Sequence, residues 1–310
     1  MLRKTIKGFL LLIVVLSATR CESNLTIDIE DGGGDLVLYS FVMPDSTFSV
    51  HLSRSVSYSS VDDYERVYDG YVIVYKNDVK IDSFAWPYES IWAYRPDIKV
   101  AYNDTIKIVS GDSQGNLATG TTEVLQPVEI ESVTTEYNED TIPEYVNCSV
   151  IFTDPADITN YYQLVVISET WNNEAELTYE YNQVSYLKSD EDVFYVRDQD
   201  GSLLQGIDFL GTFPDDIVKT QEHYPVKIEI PGVYFNPPAP NEKRKLSFLL
   251  VSLSEDYYKY LRSKVVAEYN YELPIVTPVK VHSNISGGHG LVGSLSVASD
   301  SIVFIGNNYN

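Results

Sequence analysis

Two of the chain's four histidines, His282 and His289, stand in the glycine-rich stretch 281-VHSNISGGHGLVGSLS-296 near the C-terminus. Histidines at this spacing could share a metal ion, but no cysteine or carboxylate stands between them to complete a ligand set. The stretch also lacks the lysine of a phosphate-binding loop and the Gly-x-Ser-x-Gly pattern of a nucleophile elbow. We therefore expect no metal and no cofactor here. The glycines predict a turn with positive φ angles between strands at 279–283 and 291–297.

Acidic residues suggest a second kind of chemistry. The chain has 45 acidic and 22 basic residues and a formal net charge of −23, so nucleic acid is not an expected partner, whereas cations can be attracted. The stretch 198-DQDG-201 begins like a calcium loop, but Ser202 and Phe209 stand where such a loop needs an oxygen ligand and a glutamate. We predict a turn there, with a looser calcium site as the alternative. Since close carboxylate pairs must occur by chance in so acidic a chain, we assign no catalytic residue.

Aromatic residues offer the best candidates for binding. The segment 84-FAWPYESIWAYRP-96 holds two of the chain's three tryptophans. Exposed aromatic rings stack on sugars or pack on protein partners. Alternatively, the segment folds back onto its own domain. The candidate partner-binding residues are Phe84, Trp86, Tyr88, Trp92 and Tyr94.

The N-terminus has the features of a targeting signal. Residues 1–20 start with basic residues and continue into an apolar run that is too short to span a bilayer, as in a signal peptide. Cys21 follows, as in bacterial lipoprotein signals, although Arg20 replaces the usual small residue. We predict lipidation at Cys21, with an ordinary secretory signal as the alternative, followed by a polar tether over residues 21–35. Acyl chains such as palmitate would anchor the protein to a membrane.

The elements that must position these residues are predominantly strands. Tyrosine, which suits strands and half-exposed surfaces, occurs 25 times. Short alternating or apolar runs predict strands at 36–42, 47–53, 71–77, 79–85, 105–111, 117–124, 128–137, 146–154, 161–171, 177–187, 193–198, 226–232 and 245–253. We therefore predict an all-β chain with two β-sandwich (Ig-like) domains, an N-terminal one at 36–125 and a C-terminal one at 126–310, divided near Gln126-Pro127. The polar stretch 54–70 is predicted to be a partly helical connection.

One segment of the second domain follows a helical pattern. Residues 254–269 begin with Ser254, which can cap a helix, and then two acidic residues that suit the positive end of the helix dipole. Tyr257, Leu261 and Val265 recur every four residues. They are predicted to form the buried face of the helix.

The order of several motifs resembles the family of domain of unknown function 4249, which are lipoproteins of Bacteroidota. The motifs are 21-CESNLTIDI-29, 41-FVMPDSTFSVHLSRS-55, 116-NLATGTTEVLQPVEIESV-133, 152-FTDPADITNYYQL-164 and 249-LLVSLSEDYYKYL-261, followed by the glycine-rich stretch. The resemblance spans nearly the whole mature chain. The chain departs from the family at Gly287-Gly288-His289 and Leu291-Val292, where the family tends to have Asn-Gly and a large aromatic residue.

The resemblance implies a secreted, lipid-anchored, β-rich protein of the outer membrane, often encoded beside a TonB-dependent receptor. It implies no catalytic residue. We therefore expect a non-enzymatic cell-envelope lipoprotein that is anchored to the membrane through its N-terminal lipid and binds a ligand or a protein partner, such as a TonB-dependent receptor. Two alternatives stay open: a surface hydrolase acting on peptides or glycans, and an adhesin-like structural subunit with an exchangeable terminal strand.

Overall fold

The computed structural model describes residues 33–57, 60–85, 93–138, 140–172, 177–188, 192–194, 208–271 and 279–306. The strands, in chain order, are β1 (Leu36–Val42), β2 (Val50–Arg54), β3 (Glu65–Arg66), β4 (Tyr71–Lys76), β5 (Val79–Ala85), β6 (Thr105–Gly111), β7 (Leu117–Glu123), β8 (Ile130–Glu136), β9 (Tyr145–Phe152), β10 (Tyr161–Asn172), β11 (Leu177–Gln183), β12 (Thr212–Pro214), β13 (Tyr224–Pro231), β14 (Glu242–Leu253) and β15 (His289–Ile305). Among the described residues, the helices are α1 (Glu255–Tyr271) and three short 3-10 helices at Asp192–Phe194, Val218–Thr220 and Gly232–Phe235. Within the described residues, no helix has the length and apolar character needed to cross a membrane. The predicted all-β class, with two sandwich domains and one helix in the second, is confirmed.

The C-terminal sandwich packs β8, β9 and β13 against β10, β11, β14 and the second part of β15. Along β10, Tyr162, Leu164 and Val166 are buried, while the residues between them are half-buried. Because side chains alternate between the two faces of a strand, these residues share one face. They join Val150 of β9 and Ile228 of β13 in a common core.

The N-terminal sandwich packs β1, β2 and β3 against a four-stranded sheet in the order β5-β4-β6-β7. Val72 and Val74 of β4 and Ile106 and Ile108 of β6 are fully buried. They meet Leu38 of β1 in the second core of the molecule. The same alternation of buried and accessible residues therefore builds both sandwiches.

One long strand, β15, belongs to both sandwiches. Its residues 289–294 pair in parallel with β1, and its residues 295–305 pair in antiparallel fashion with β14. This pairing produces a continuous sheet in the order β11-β10-β14-β15-β1-β2-β3. Ile285 and Val292 lie in the core of the N-terminal sandwich. Residues near the C-terminal end of the chain therefore complete the N-terminal domain.

Glycines allow this strand to enter between two backbones. Gly287 and Gly290 have φ angles of 78° and 114°, a backbone region that residues other than glycine rarely adopt. A Cβ atom on Gly290 would lie 2.1 Å from the carbonyl oxygen of Leu38 in β1, and one on Gly287 would lie 2.2 Å from that of Leu117 in β7. The predicted turn with positive φ angles at glycine is confirmed. It brings the chain between β7 and β1.

Helix α1 lies against the outer face of the continuous sheet. The ring of Tyr257 lies 4.9 Å from that of Phe41 in β1, and the ring of Tyr258 stacks 4.6 Å from that of Tyr161 in β10. The hydroxyl of Ser254 accepts a hydrogen bond from the amide of Ser294 at 3.1 Å, which joins the start of the helix to β15. The predicted face of Tyr257, Leu261 and Val265 is half-buried rather than buried, because the helix covers a sheet from outside.

Three local predictions were wrong. No strand forms at 279–283, where the amide of His282 instead donates to the hydroxyl of Ser263 at 2.8 Å. The strand predicted at 193–198 is replaced by a 3-10 turn at Asp192–Phe194, as far as that segment is described. The described part of 54–70 contains no helix but the two-residue strand β3, preceded by a turn in which the hydroxyl of Ser60 accepts from the amide of Asp62. Short polar side chains favour such turns because they bind nearby backbone groups.

Candidate functional site

A groove of about 560 Å³ lies beside β1, β2 and β3 of the N-terminal sandwich. Its lining combines three tyrosines with two arginines, a histidine and an aspartate: Tyr39, Tyr64, Tyr68, Arg54, Arg66, His51 and Asp63. Tyr39 and His51 alternate with buried neighbours along β1 and β2. The period of the two strands therefore directs them away from the core.

Arg54 is held in place beside the groove by an ion pair. Its Nη2 atom lies 2.5 Å from Oδ2 of Asp112, and its Nη1 atom donates to the carbonyl oxygen of Gly34 at 3.2 Å. The side chains of Arg54 and Asp112 are 11% and 0% exposed. The guanidinium is thus already paired, and it gives the groove a fixed wall rather than a free positive charge.

The carboxylate of Asp112 accepts further hydrogen bonds. Its Oδ1 accepts from the amides of Gln114 and Asn116 at 2.9 Å and 3.0 Å, and its Oδ2 accepts from the side chain of Asn116 at 2.8 Å. Burial alone would raise the pKa of Asp112, but the hydrogen bonds from Asn116 and Arg54 and the charge of Arg54 lower it to about 2. Asp112 therefore stays ionised at physiological pH and neutralises Arg54.

The tyrosines supply the accessible aromatic surface of the groove. Tyr64 and Tyr68 are 36% and 49% exposed. Tyr39 is half-buried, and its ring lies 5.9 Å from that of Tyr260 in α1. Burial and the neighbouring Tyr260 raise the pKa of Tyr39 to about 12, so its phenol is neutral at physiological pH. Rings with neutral hydroxyls suit a sugar or a peptide, since they offer both stacking area and hydrogen bonds.

The chain enters the described structure next to this groove. The amide of Gly34 donates to the carbonyl oxygen of Ser55 at 2.7 Å, and the amide of Ser55 donates to that of Asp35 at 2.8 Å. The amide of Asp35 also donates to the hydroxyl of Ser55 at 3.1 Å. Ser55 lines the groove. The end of the predicted tether at Gly33–Asp35 is therefore fixed beside the groove.

Comparison with known protein families identifies the chain. A model of the family described as Domain of unknown function (DUF4249) matches residues 22–301. The chain belongs to the DUF4249 family. Among curated protein sequences, no match is found. One similar solved structure is a two fibronectin type-III domain segment from chicken tenascin, with 9% identity over 70% of this chain and 91% of that chain and a TM-score of 0.21.

Two of the five aromatic residues predicted to bind a partner lie within the described part of the DUF4249 chain. Phe84 and Tyr94 stack on each other with ring centroids 4.5 Å apart and pack against the N-terminal core. Tyr94 donates a hydrogen bond from its hydroxyl to Asp82, and its backbone pairs with Val50 of β2. These two residues contact their own sandwich. Trp86, Tyr88 and Trp92 lie outside the described residues, as do the predicted lipidation site Cys21 and the stretch 198–201, and the binding role of the five stays a prediction.

The two histidines of the glycine-rich stretch bind different carboxylates. His282 Nε2 lies 2.7 Å from Oδ1 of Asp256 in α1, whereas His289 Nε2 lies 3.2 Å from Oδ2 of Asp35. Within the described residues, no group of three or more histidine, cysteine, aspartate or glutamate side chains is placed to hold a metal ion. The two histidines link this part of the DUF4249 chain to Asp256 in α1 and to Asp35, at the end of the predicted tether.

The groove itself was missed by sequence reasoning. Its residues come from β1, from β2 and from the connection that precedes β4. The two strands and the polar connection were predicted, but not that they line a common groove. One signal could have indicated it. The stretch 54-RSVSYSSVDDYERVYDG-70 combines tyrosines, arginines and serines, a composition that recurs in binding loops because tyrosine gives a large contact area at low cost in conformational entropy.

Proposed function

We propose that this DUF4249 protein is a lipid-anchored lipoprotein of the cell envelope that binds a ligand or a protein partner in the groove of its N-terminal sandwich without catalysing a reaction. The groove carries the proposal. It exposes Tyr64 and Tyr68 beside an arginine whose charge is already neutralised by Asp112. Binding there would gain aromatic contact area without the cost of separating a buried ion pair.

A partner in the same membrane would suit this position. If Cys21 is acylated, the twelve residue-to-residue steps from Cys21 to Gly33 reach at most about 40 Å, so the groove stays near the bilayer surface. A TonB-dependent outer-membrane receptor is the partner that we propose. The signal-like N-terminus and the family resemblance support this choice.

Replacement of both exposed groove tyrosines tests the proposed binding site. We expect the lipidated wild-type protein to recover its receptor from native outer membranes. The variant Tyr64→Ala/Tyr68→Ala should recover at least about tenfold less receptor, because aromatic residues that become buried at an interface contribute much of its binding energy. Tyr181→Ala is the matched control because Tyr181 is 62% exposed on the C-terminal sandwich. Equal recovery by all three proteins, with unchanged melting temperatures, would contradict the groove as the contact.

The anchor is tested separately by Cys21→Ala. Since this change removes the acylated residue, the protein should move from the membrane fraction to the soluble fraction, and wild-type protein should carry a mass increase from its acyl chains. A variant that fractionates like wild type would show that Arg20 prevents lipoprotein processing and that another feature holds the protein in the envelope.

A surface hydrolase acting on peptides or glycans is a second candidate, and one observation favours it. The hydroxyl of Ser49 lies 3.2 Å from Nε2 of His51, and His51 lines the groove. A serine beside a histidine can act as a nucleophile with its base. Ser49→Ala should then abolish turnover of peptide or glycan substrates while partner binding persists. A wild-type protein that cleaves neither class would eliminate this candidate.

A further inference from the structure

A second polar cluster lies inside the C-terminal sandwich, where β9 connects to β10. Asp154 and Asp215 are 6% and 0% exposed. Asp154 Oδ1 accepts hydrogen bonds from the hydroxyl of Tyr162 and, at 3.2 Å, from the side chain of Asn160. Asp154 Oδ2 is buried and meets no hydrogen-bond partner among the described residues. A buried carboxylate oxygen without a donor is unfavourable, because nothing replaces the water that it loses on folding.

One asparagine connects the two carboxylates. The amide of Asn160 donates to Oδ2 of Asp215 at 2.8 Å, while its side chain binds Asp154. Lys219 is the cation at this cluster, with Nζ 3.3 Å from Oδ1 of Asp215. Burial and then the charge of Asp215 raise the pKa of Asp154, against the hydrogen bonds from Tyr162 and Asn160 and the charge of Lys219. Nζ of Lys219 also lies 3.8 Å from Oδ1 of the exposed Asp216, so one lysine faces the carboxyl groups of Asp154, Asp215 and Asp216.

Oxygen atoms of the same connection converge on one point. The Nδ2 atom of Asn160 lies 3.2 Å from Oδ1 of Asp154, 3.5 Å from the carbonyl oxygen of Pro155 and 3.3 Å from that of Ile158. An amide nitrogen has two hydrogens and cannot serve three acceptors equally. If the Asn160 side chain turns over, its own oxygen joins the other three. Carboxylate, amide and backbone oxygens in one short turn are the ligands that calcium prefers.

We propose that the β9–β10 connection binds a calcium ion through the carboxylate of Asp154, the carbonyl oxygens of Pro155 and Ile158 and the side-chain oxygen of Asn160. The ion would give the unpartnered oxygen of Asp154 a partner and balance its charge, since Lys219 already pairs with Asp215. Zinc is disfavoured because the cluster contains no histidine or thiolate, and magnesium because it needs a near-ideal octahedron and sheds water reluctantly. This site is independent of the groove and of the function proposed for it.

Calcium titration of the purified full-length protein, first freed of metals with a chelator, tests the site. We expect one calcium ion to bind per chain in isothermal titration calorimetry and to raise the melting temperature, in a buffer where excess Mg²⁺ occupies weak sites on the acidic surface. Asp154→Asn should weaken calcium binding at least about tenfold. Asp157→Asn is the matched control, because Asp157 is an exposed aspartate of the same turn and should bind calcium like wild type.

A wild-type protein that shows neither heat nor a thermal shift with calcium beyond those with magnesium would overturn the proposal, as would full calcium binding by Asp154→Asn. Asn160→Asp keeps the test decisive if Asp154→Asn does not fold. It adds a carboxylate to the ligand set, so its melting temperature should rise more on calcium addition than that of wild type. A smaller rise than in wild type would contradict the assignment of Asn160.

Discussion

The two sandwiches each bury an aspartate, and the two side chains behave in opposite ways. Asp112 and Asp154 are 4% and 6% exposed, yet the pKa of Asp112 is lowered to about 2 and that of Asp154 is raised. Both oxygens of Asp112 accept hydrogen bonds, and one also binds Arg54. Only one oxygen of Asp154 has donors among the described residues. Burial alone therefore does not decide the charge of a carboxyl group, because the donors around it do.

The sandwiches also differ in how the chain completes them. The C-terminal sandwich uses strands from β8 onward, whereas the N-terminal sandwich closes only when residues 285–294 return from the end of the chain. The N-terminal sandwich thus depends on a contact of very long sequence separation. It also carries the groove, beside which both carboxylate oxygens of Asp112 have partners. The polar cluster of Asp154, Asn160 and Asp215 lies in the C-terminal sandwich, and it leaves Oδ2 of Asp154 without a partner among the described residues. Among those residues, the side chain with an incomplete set of partners is therefore that of Asp154 and not that of Arg54, which Asp112 already pairs.

The largest effect is expected from Asp112→Ala. Removal of this carboxylate leaves the guanidinium of Arg54, which is 11% exposed, without its counter-charge, and breaking one side of a buried pair costs about 3–5 kcal/mol. The free energy of unfolding measured with urea should fall by that amount. Asp157→Asn, an exposed aspartate, should change it by less than about 0.5 kcal/mol. Equal effects of both changes would show that the buried ion pair of Asp112 contributes no more to stability than an exposed aspartate does.

A smaller loss is expected from Gly290→Ala, which tests the returning strand. The new Cβ atom would meet the carbonyl oxygen of Leu38 at a φ angle of 114°, and a strained backbone of this kind costs about 1–3 kcal/mol. Gly115→Ala is the matched control, because Gly115 also has a positive φ but no atom within 4 Å of its Cβ position. Hydrogen exchange should speed up in β1 and β7 for Gly290→Ala alone. Identical behaviour of the two variants would mean that the close approach to β1 does not matter.

The smallest effect is expected in the pH dependence of stability without divalent cations. The raised pKa of Asp154 means that the folded state holds its proton more tightly, so its contribution to stability declines as the pH rises above about 3.8, the unfolded value. The lowered pKa of Asp112 gives the opposite sign, with a contribution that is lost as the pH falls from about 3.8 to about 2. As the pH rises above about 3.8, wild-type protein should therefore lose stability relative to Asp154→Asn. As the pH rises from about 2 to about 3.8, wild-type protein should gain stability relative to Asp112→Asn. Urea unfolding measured from about pH 2 to well above pH 3.8 gives both slopes. Slopes of the same sign would refute the comparison.

Much of the local structure was predictable because its cause is local. A period of two between buried and accessible residues located β10, where 161–171 was predicted and Tyr161–Asn172 is observed. Helix α1 followed from its four-residue spacing, although its face proved half-buried because it covers a sheet from outside. The failed strand at 279–283 shows the limit of the pattern. The amide of His282 in this segment donates to the hydroxyl of Ser263, which lies 19 positions away in the chain. No local pattern can indicate such a partner.

The sequence by itself determined where most of the strands form, where glycines turn the chain, and that the protein belongs to the all-β class, since backbone sterics and side-chain alternation act between near neighbours. Only the tertiary structure decided which strands pair, because pairing depends on contacts between distant segments. It gave β15 to both sandwiches and assembled the groove from β1, β2 and the connection before β4. It also gave Asp112 a complete set of donors and Asp154 an incomplete one. That difference depends on which side chains surround each carboxylate in space, and spacing along the chain does not encode it.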